Sequence, residues 1–164
     1  MKIPVQAFAE MHPKDVSPGS VLKFRGSWAM LVGYEDSRKD LLMLAGERAG
    51  FLIGLGDGMG KCLAIIAPFS WFPAVDEGVE PVTVDYQATT LTLTDNGPVI
   101  IGSDMDRYDP DHRAFGMNGL CDRKYKAYGS GLRFGQWSAQ LAHEDEPFKS
   151  LGQLFEVIGP PVAS

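Results

Sequence analysis

The clearest structural pattern in the chain is the run Val21-Leu-Lys-Phe-Arg-Gly-Ser-Trp-Ala-Met-Leu-Val-Gly-Tyr34. Apolar and polar residues alternate over its first five positions, as in a strand with one solvated face. Gly26-Ser27 is typical of a turn. From Ser27 to Tyr34 the sequence is apolar on both faces, which indicates an inner strand of a sheet. We therefore predict two antiparallel strands joined by a short turn.

Neighbouring segments extend this pattern. The charged turn Asp36–Asp40 leads into another apolar segment, 40–45, which we interpret as the next strand. Further along, residues 82–94 alternate with period two and are rich in valine and threonine. Branched side chains of this kind fit a pleated surface, so this segment is also predicted to be a strand.

A glycine-rich loop lies in Phe51-Leu-Ile-Gly-Leu-Gly-Asp-Gly-Met-Gly-Lys-Cys-Leu-Ala-Ile-Ile66. A phosphate-binding Walker loop requires Gly, four residues and then Gly-Lys-Ser/Thr. Here its first glycine would fall at Leu55, and Cys62 stands where the hydroxyl is needed. The dinucleotide spacing Gly-X-Gly-X-X-Gly fails as well. We therefore predict a β-hairpin with a flexible tip at Gly54–Lys61.

Helix is predicted to be sparse, because 19 glycines and 11 prolines interrupt the chain. Val5–Glu10 and Trp137–His143 are candidates for short helices. Ser150 and Gln153 fit a capping box, and apolar residues follow at helical spacing. The segment 150–158 is therefore predicted to be a helix, although a strand is also compatible with its sequence.

These patterns predict a mainly β protein, an antiparallel partly closed barrel or sandwich with one or two short helices. The length of 164 residues suits a single globular domain, 1–164. The acidic, turn-rich stretch 75–81 is a candidate for a weak seam inside it.

Composition narrows the class of protein. No apolar run reaches the roughly 18 residues needed to span a bilayer, so we expect no membrane association. Cys62 and Cys121 do not make a disulfide framework, and free thiols favour the reducing cytoplasm. The net charge of −6 disfavours nucleic acid as a partner, because such binding is driven by cationic surfaces.

One polar cluster carries the residue types of a metal site. Oxygen ligands suit calcium and magnesium, and an imidazole adds a nitrogen ligand. The spacing does not match a calcium-binding EF-hand loop, and a solvated loop is the alternative interpretation. The candidate ligands of a divalent cation are Asp104, Asp106, Asp109 and His112. No other cofactor is expected.

The segment 107–133 mixes basic and aromatic residues. Rings stacked among cations hold single-stranded nucleic acid and other planar anions. The same composition, with acids interleaved, is ordinary for a solvated surface excursion. The candidate binding residues are Arg113, Arg123, Lys124 and Lys126.

An aromatic cluster is bracketed by prolines in Pro68-Phe-Ser-Trp-Phe-Pro73, which we interpret as a connection between strands. Buried, Phe69, Trp71 and Phe72 would cap the open end of a barrel or sandwich. Exposed, they would anchor an interface, because tryptophan and phenylalanine are common interface anchors.

No catalytic motif is present: the chain has neither Gly-X-Ser-X-Gly nor His-Glu-X-X-His. The leading hypothesis is a binding or assembly module that pairs with a protein partner or with a second copy, through an edge strand or the aromatic cluster. A metal-assisted hydrolase or lyase using the 104–112 cluster is the first alternative. Binding of an anion or of single-stranded nucleic acid through 107–133 is the second.

Overall fold

A computed structural model of the chain describes residues 3–82, 88–104, 111–122 and 131–158. The protein is mainly β: 53% of the described residues are in strands or bridges and 4% are in helices, and the strands pair antiparallel within their sheets. The predicted fold class is thereby confirmed. The division into domains is not tested, so the single domain remains a prediction.

The described residues contain two short 3₁₀ helices and thirteen strands. The helices are Val5–Ala7 and Pro13–Asp15. The strands are β1 (Phe8–Met11), β2 (Val21–Phe24), β3 (Ser27–Gly33), β4 (Lys39–Met43), β5 (Leu52–Gly54), β6 (Cys62–Ile65), β7 (Phe69–Ala74), β8 (Leu91–Thr94), β9 (Gly97–Asp104), β10 (Asp111–Gly116), β11 (Leu132–Phe134), β12 (Gln136–His143) and β13 (Gly152–Ile158).

The strands form three sheets. The largest has six strands in the order β1-β6-β2-β3-β4-β5, the second has the order β10-β9-β8-β11, and the third has the order β13-β12-β7. In the described part of the chain no sheet closes into a barrel, and the arrangement is compatible with a sandwich. None of the described helices is long and apolar enough to cross a membrane.

The strands β2, β3 and β4 form the meander that the alternation predicts. Val21 pairs with Met30 in one ladder, and Met30 pairs with Leu42 in the next. The turn between β2 and β3 is formed by Arg25 and Gly26, both at positive φ, one residue earlier than predicted. Strand β3 is an inner strand, as its two apolar faces indicate.

The main core lies where the three sheets face one another. It combines apolar residues of the six-stranded sheet with residues of both smaller sheets; its largest members include Met30, Leu42, Ile100, Phe115, Trp137, Leu141 and Phe155. The indole N–H of Trp137 donates to the backbone carbonyl of Thr89 at 2.8 Å. The indole nitrogen is the only polar atom of the Trp137 side chain, which is the largest of the fully buried side chains, and this bond gives it a partner.

A second core covers the opposite face of the six-stranded sheet. Its buried residues are Val16, Leu22, Phe24, Ala29, Leu31, Leu41, Met43, Cys62 and Ala64. Leu55 and Met59, from the glycine-rich loop, pack against this cluster. The sheet is therefore buried on both faces, which explains why β3 carries apolar residues at consecutive positions.

The predicted hairpin around the glycine-rich loop is wrong. Strand β5 pairs with β4 at the edge of the sheet, whereas β6 pairs with β1 and β2. The loop Gly54–Lys61 is therefore a crossover that passes over the second core. Two apolar runs around glycines predict strands and a loop, but their composition does not tell which strands will be neighbours.

The predicted helices at Trp137–His143 and 150–158 are also wrong, because both segments are strands. In β12, Trp137, Ala139 and Leu141 are buried at alternate positions in the main core. In β13, Phe155 and Val157 are buried while Glu156 and Ile158 are exposed. At the N-terminus, Val5–Glu10 starts as a 3₁₀ helix and then enters β1. Of the predicted strand 82–94, the structure describes only Val82 and residues 88–94, which include β8.

Candidate functional site

The predicted aromatic residues Phe69, Trp71 and Phe72 lie in strand β7, so the interpretation of this segment as a connection is wrong. Strand β7 is at the edge of the three-stranded sheet and pairs with β12 along one side. Pro73 is compatible with this position, because edge strands tolerate the missing N–H that a central strand would need.

The inward side chains of β7 extend the main core. The ring of Trp71 stacks on that of Trp137, with centroids 6.4 Å apart and planes 26° apart. Its indole N–H donates to the carbonyl of Gly19 at 2.7 Å. Phe69 meets the ring of His143 edge-on at 5.8 Å. These residues fix the position of β7 on the body of the protein.

The neighbouring position of β7 belongs to the other face of the sheet, since side chains alternate along a strand. Phe72 meets the ring of Phe148 edge-on, with centroids 6.1 Å apart. Phe148 is 82% exposed. A pair of aromatic side chains therefore lies beside the edge of the sheet and partly in contact with solvent.

The other side of β7, which we call the open edge, pairs with none of the described strands. Among the described edge strands, β1, β10, β11 and β13 each contain a charged residue, and β5 has only three residues. Strand β7, with the sequence Phe-Ser-Trp-Phe-Pro-Ala, has no charge along six residues. Charged side chains are a common means of preventing edge-to-edge pairing, and β7 has none.

A cleft of about 490 Å³ lies next to the open edge. Its walls include Phe69, Ser70 and Trp71 from β7, and Asp15 and Glu144 add carboxylates. The hydroxyl oxygen of Ser70 is buried and forms no hydrogen bond with any described group. The cleft shows that the space beside β7 is not filled by the described side chains.

The predicted metal ligands are only partly described. Asp104 and His112 lie on the β9–β10 hairpin, where Asp104 pairs with Asp111 and His112 with Ser103. Paired residues share a face and successive residues alternate, so Asp104 and His112 belong to opposite faces. Asp106 and Asp109 lie outside the described residues. Within the described ranges no three His, Cys, Asp or Glu side chains gather as a metal site, and the cation stays a prediction.

Of the predicted cationic residues, only Arg113 is described, and Arg123, Lys124 and Lys126 lie outside the described ranges. The guanidinium of Arg113 lies 5.3 Å from the ring centroid of Tyr34, and that of Arg38 lies 4.2 Å from it. The Tyr34 hydroxyl donates to Asp40 at 2.8 Å. Arg113 of β10 therefore contacts Tyr34, the residue that follows β3 of the six-stranded sheet.

Of the residues around the Tyr34 ring, Tyr34, Arg38 and Asp40 are not among the predicted site residues. Burial raises the pKa of Tyr34 above its usual value, and the hydrogen bond to Asp40 and the charge of that carboxylate raise it further. The sequence indicates this cluster only weakly, because it shows no more than that Tyr34 and Asp40 flank a charged turn. The contact between their side chains depends on the register of β3 and β4. The cluster is a structural contact at which two cations and one carboxylate meet a ring.

Comparison with models of protein families, with curated proteins and with solved structures yields no match. Any function of this chain must therefore be argued from its own residues.

Proposed function

We propose that this protein is a non-enzymatic assembly module in which two copies pair along the open edges of their β7 strands. The observation that supports the proposal most strongly is the uncharged, six-residue edge of β7. An edge strand presents unpaired backbone N–H and C=O groups, and these groups form a template for another strand. Here no lysine or carboxylate of the strand opposes such pairing.

A second copy of the same strand is a suitable partner for geometric reasons. Two identical strands related by a two-fold axis pair antiparallel, so each contributes the same surface to a closed dimer. Two three-stranded sheets would then form one continuous sheet of six strands. Pro73 lies near one end of β7, so its missing N–H removes few of the bonds between the strands.

Apolar side chains next to the open edge add to this pairing. Phe72 and Phe148 lie on the outer face, and Phe148 is largely exposed. In the dimer, the corresponding rings of the two copies would approach each other across the new strand pair. Burial of apolar surface contributes about 25 cal/mol per Å² of area removed from water. Burial of the Phe72 and Phe148 rings would therefore add stability to an interface whose register is set by the backbone hydrogen bonds between the two β7 strands.

Charge works against this association at long range. Each copy has a net charge of −6, so two copies repel each other at low ionic strength. Strand β7 itself carries no charge, so this repulsion arises from other groups, among them Asp15 and Glu144 in the cleft beside the open edge, and it is screened by salt. The proposal therefore implies a dimer that becomes more stable as the salt concentration rises.

We also propose that the protein works in the reducing cytoplasm. Cys62 and Cys121 are the two cysteines of the chain, and they are not joined in a disulfide. Burial raises the pKa of the Cys62 thiol, and its S–H donates to the carbonyl of Met11 at 3.2 Å. A protonated, buried thiol is typical of a structural cysteine.

Light scattering coupled to size exclusion, over a wide range of protein concentration, tests the assembly. The wild type is expected to shift from monomer to dimer as concentration increases. Phe72→Lys and Ala74→Lys each place a charge on β7 and should keep the protein monomeric. Two variants are needed because Phe72→Lys also removes the contact with Phe148.

The matched control is Ile158→Lys, which places the same charge on β13, at the opposite edge of the same sheet. Ile158 is 71% exposed, so the fold tolerates lysine there and the dimer should persist. Far-UV circular dichroism verifies that each variant is folded. A wild type that stays monomeric at every concentration would refute the proposal, as would a dimer that both β7 variants leave intact.

A further inference from the structure

The glycine-rich loop, whose spacing does not match a phosphate-binding motif, forms one wall of a second cleft. This cleft has a volume of about 550 Å³, within the range of roughly 300–1,000 Å³ found for small-molecule sites. Phe24, Ile53 and Met59 supply its apolar surface. It lies on the six-stranded sheet and shares no lining residue with the cleft beside β7.

The glycines of this loop are not explained by the backbone. Gly56 and Gly58 line the cleft, and neither has the positive φ that favours glycine. A Cβ atom at either position would meet nothing within 4 Å. Larger residues would therefore fit the fold at both positions. Glycine at these positions leaves space at the cleft and leaves the backbone accessible there.

Two arginines line the same cleft. The guanidinium of Arg25 lies 5.0 Å from the centroid of the Phe24 ring, so a positive charge is held over the apolar surface. Arg48 is exposed on the turn that precedes β5. Within the described residues, neither arginine forms an ion pair with a carboxylate. A guanidinium presents a planar fork of donors that matches the oxygens of an organic anion.

We propose that this cleft binds a small organic anion with a hydrocarbon body, such as a medium-chain carboxylate. The hydrocarbon would lie against Phe24, Ile53 and Met59, and the anionic group would face Arg25 and Arg48. The site requires both parts: the apolar surface stabilises the body of the ligand, and the two cations select its charge. It is independent of the proposed assembly, because it lies on another sheet.

The fluorescent organic anion 8-anilinonaphthalene-1-sulfonate serves as the probe, and octanoate and octanol serve as competitors. The probe should bind saturably and gain fluorescence. Octanoate should displace it, whereas octanol, which has the same chain without the charge, should compete at least about tenfold less well. The double substitution Arg25→Gln and Arg48→Gln should weaken probe binding by about tenfold or more, with Lys61→Gln as the control for a lost charge.

A second pair of variants tests the position of the site. Gly56→Asp places a negative charge at the cleft, whereas Gly60→Asp places the same charge in the same loop at a residue that does not itself line the cleft. Only the first should reduce binding strongly. The proposal is overturned if binding is not saturable, if the double arginine variant binds as the wild type does, or if both aspartate variants lose binding equally. Titration of the probe into the Phe72→Lys variant, which is expected to be monomeric, shows whether binding at this cleft depends on the state of assembly.

Discussion

Tyr34 is partly buried, is hydrogen-bonded to a carboxylate and lies next to two cations. Its hydroxyl donates to Asp40, and its ring contacts the guanidinium groups of Arg38 and Arg113. Its ring also meets Phe115 edge-on at 5.8 Å. The residue therefore joins the end of β3 to β4 and to β10, in a different sheet. Loss of its hydroxyl proton would put a negative charge beside Asp40 and in a poorly solvated place.

We expect Tyr34→Phe to change how stability depends on pH. The pKa of Tyr34 in the folded protein lies above the ordinary value of 10.0, mainly because of burial. The stability linked to this shift is fully present below that value and is lost as pH rises through the folded pKa. Tyr34→Phe should remove that alkaline loss, while costing about 1.5–3 kcal/mol near neutral pH through the missing hydrogen bond to a charged group.

Urea unfolding at neutral pH and at several pH values above 10.0 gives the two comparisons. The slope of the free energy of unfolding against pH should be shallower in Tyr34→Phe than in the wild type. Equal alkaline slopes in the two proteins would show that other groups cause the loss of stability.

At the scale of single strands, the sequence predicts elements well where local pattern and tertiary position agree. The doubly apolar pattern of β3 follows from the sheet in which it lies, whereas in β2 Val21 and Leu22 are both buried and only Lys23 is exposed. In β12 and β13, apolar residues fall at positions that satisfy helical spacing as well as alternation. Their strand conformation depends on pairing with each other and with β7, which a local pattern does not contain.

Prediction of the candidate sites fails for a related reason. The aromatic residues of β7 are recognisable in the sequence, but the flanking prolines favour a connection over a strand. The open edge becomes visible only when the neighbours of β7 are known. The second cleft depends on the crossover from β5 to β6, which brings the loop to Arg25 and Arg48. Residues distant in the chain meet there because of strand order.

Two glycines join separate elements in a way that can be tested. Gly19 donates its N–H to Leu31 at 2.8 Å, and Gly119 accepts from the N–H of Gly33 at 2.8 Å. Gly119 has φ of 77°, and a Cβ there would collide with the backbone nitrogen of Gly19. We expect Gly119→Ala to lower the free energy of unfolding by about 2–4 kcal/mol, through backbone strain and a clash that only backbone movement relieves.

Gly26→Ala is the matched control, because Gly26 has a similar φ of 80° but no atom within 4 Å of the added Cβ. It should cost only about 1 kcal/mol, the strain of the left-handed conformation alone. Denaturant unfolding of both variants gives the difference between them. Equal losses would mean that the contact between the two glycines adds nothing to the conformational cost.

In the molecule as a whole, burial is unevenly divided among the sheets. The six-stranded sheet has a core on each face, and the four central residues of β3, Ala29–Val32, are fully buried. Strand β13 is at the edge of the smallest sheet, and its residues alternate between buried and exposed. A strand with one free edge and with side chains exposed on one face opens at a lower free energy than a strand that is buried on both faces.

Amide hydrogen exchange should therefore separate the two sheets. We expect the amides of Ala29–Val32 to exchange only through global unfolding, with an opening free energy equal to that measured with denaturant. The amides of β13 should exchange faster, through local opening of its sheet. Exchange from β13 as slow as that from β3 would mean that all three sheets unfold as one unit.

Higher protein concentration should slow exchange in β7 but not in β13, because only the open edge of β7 would become paired in the dimer.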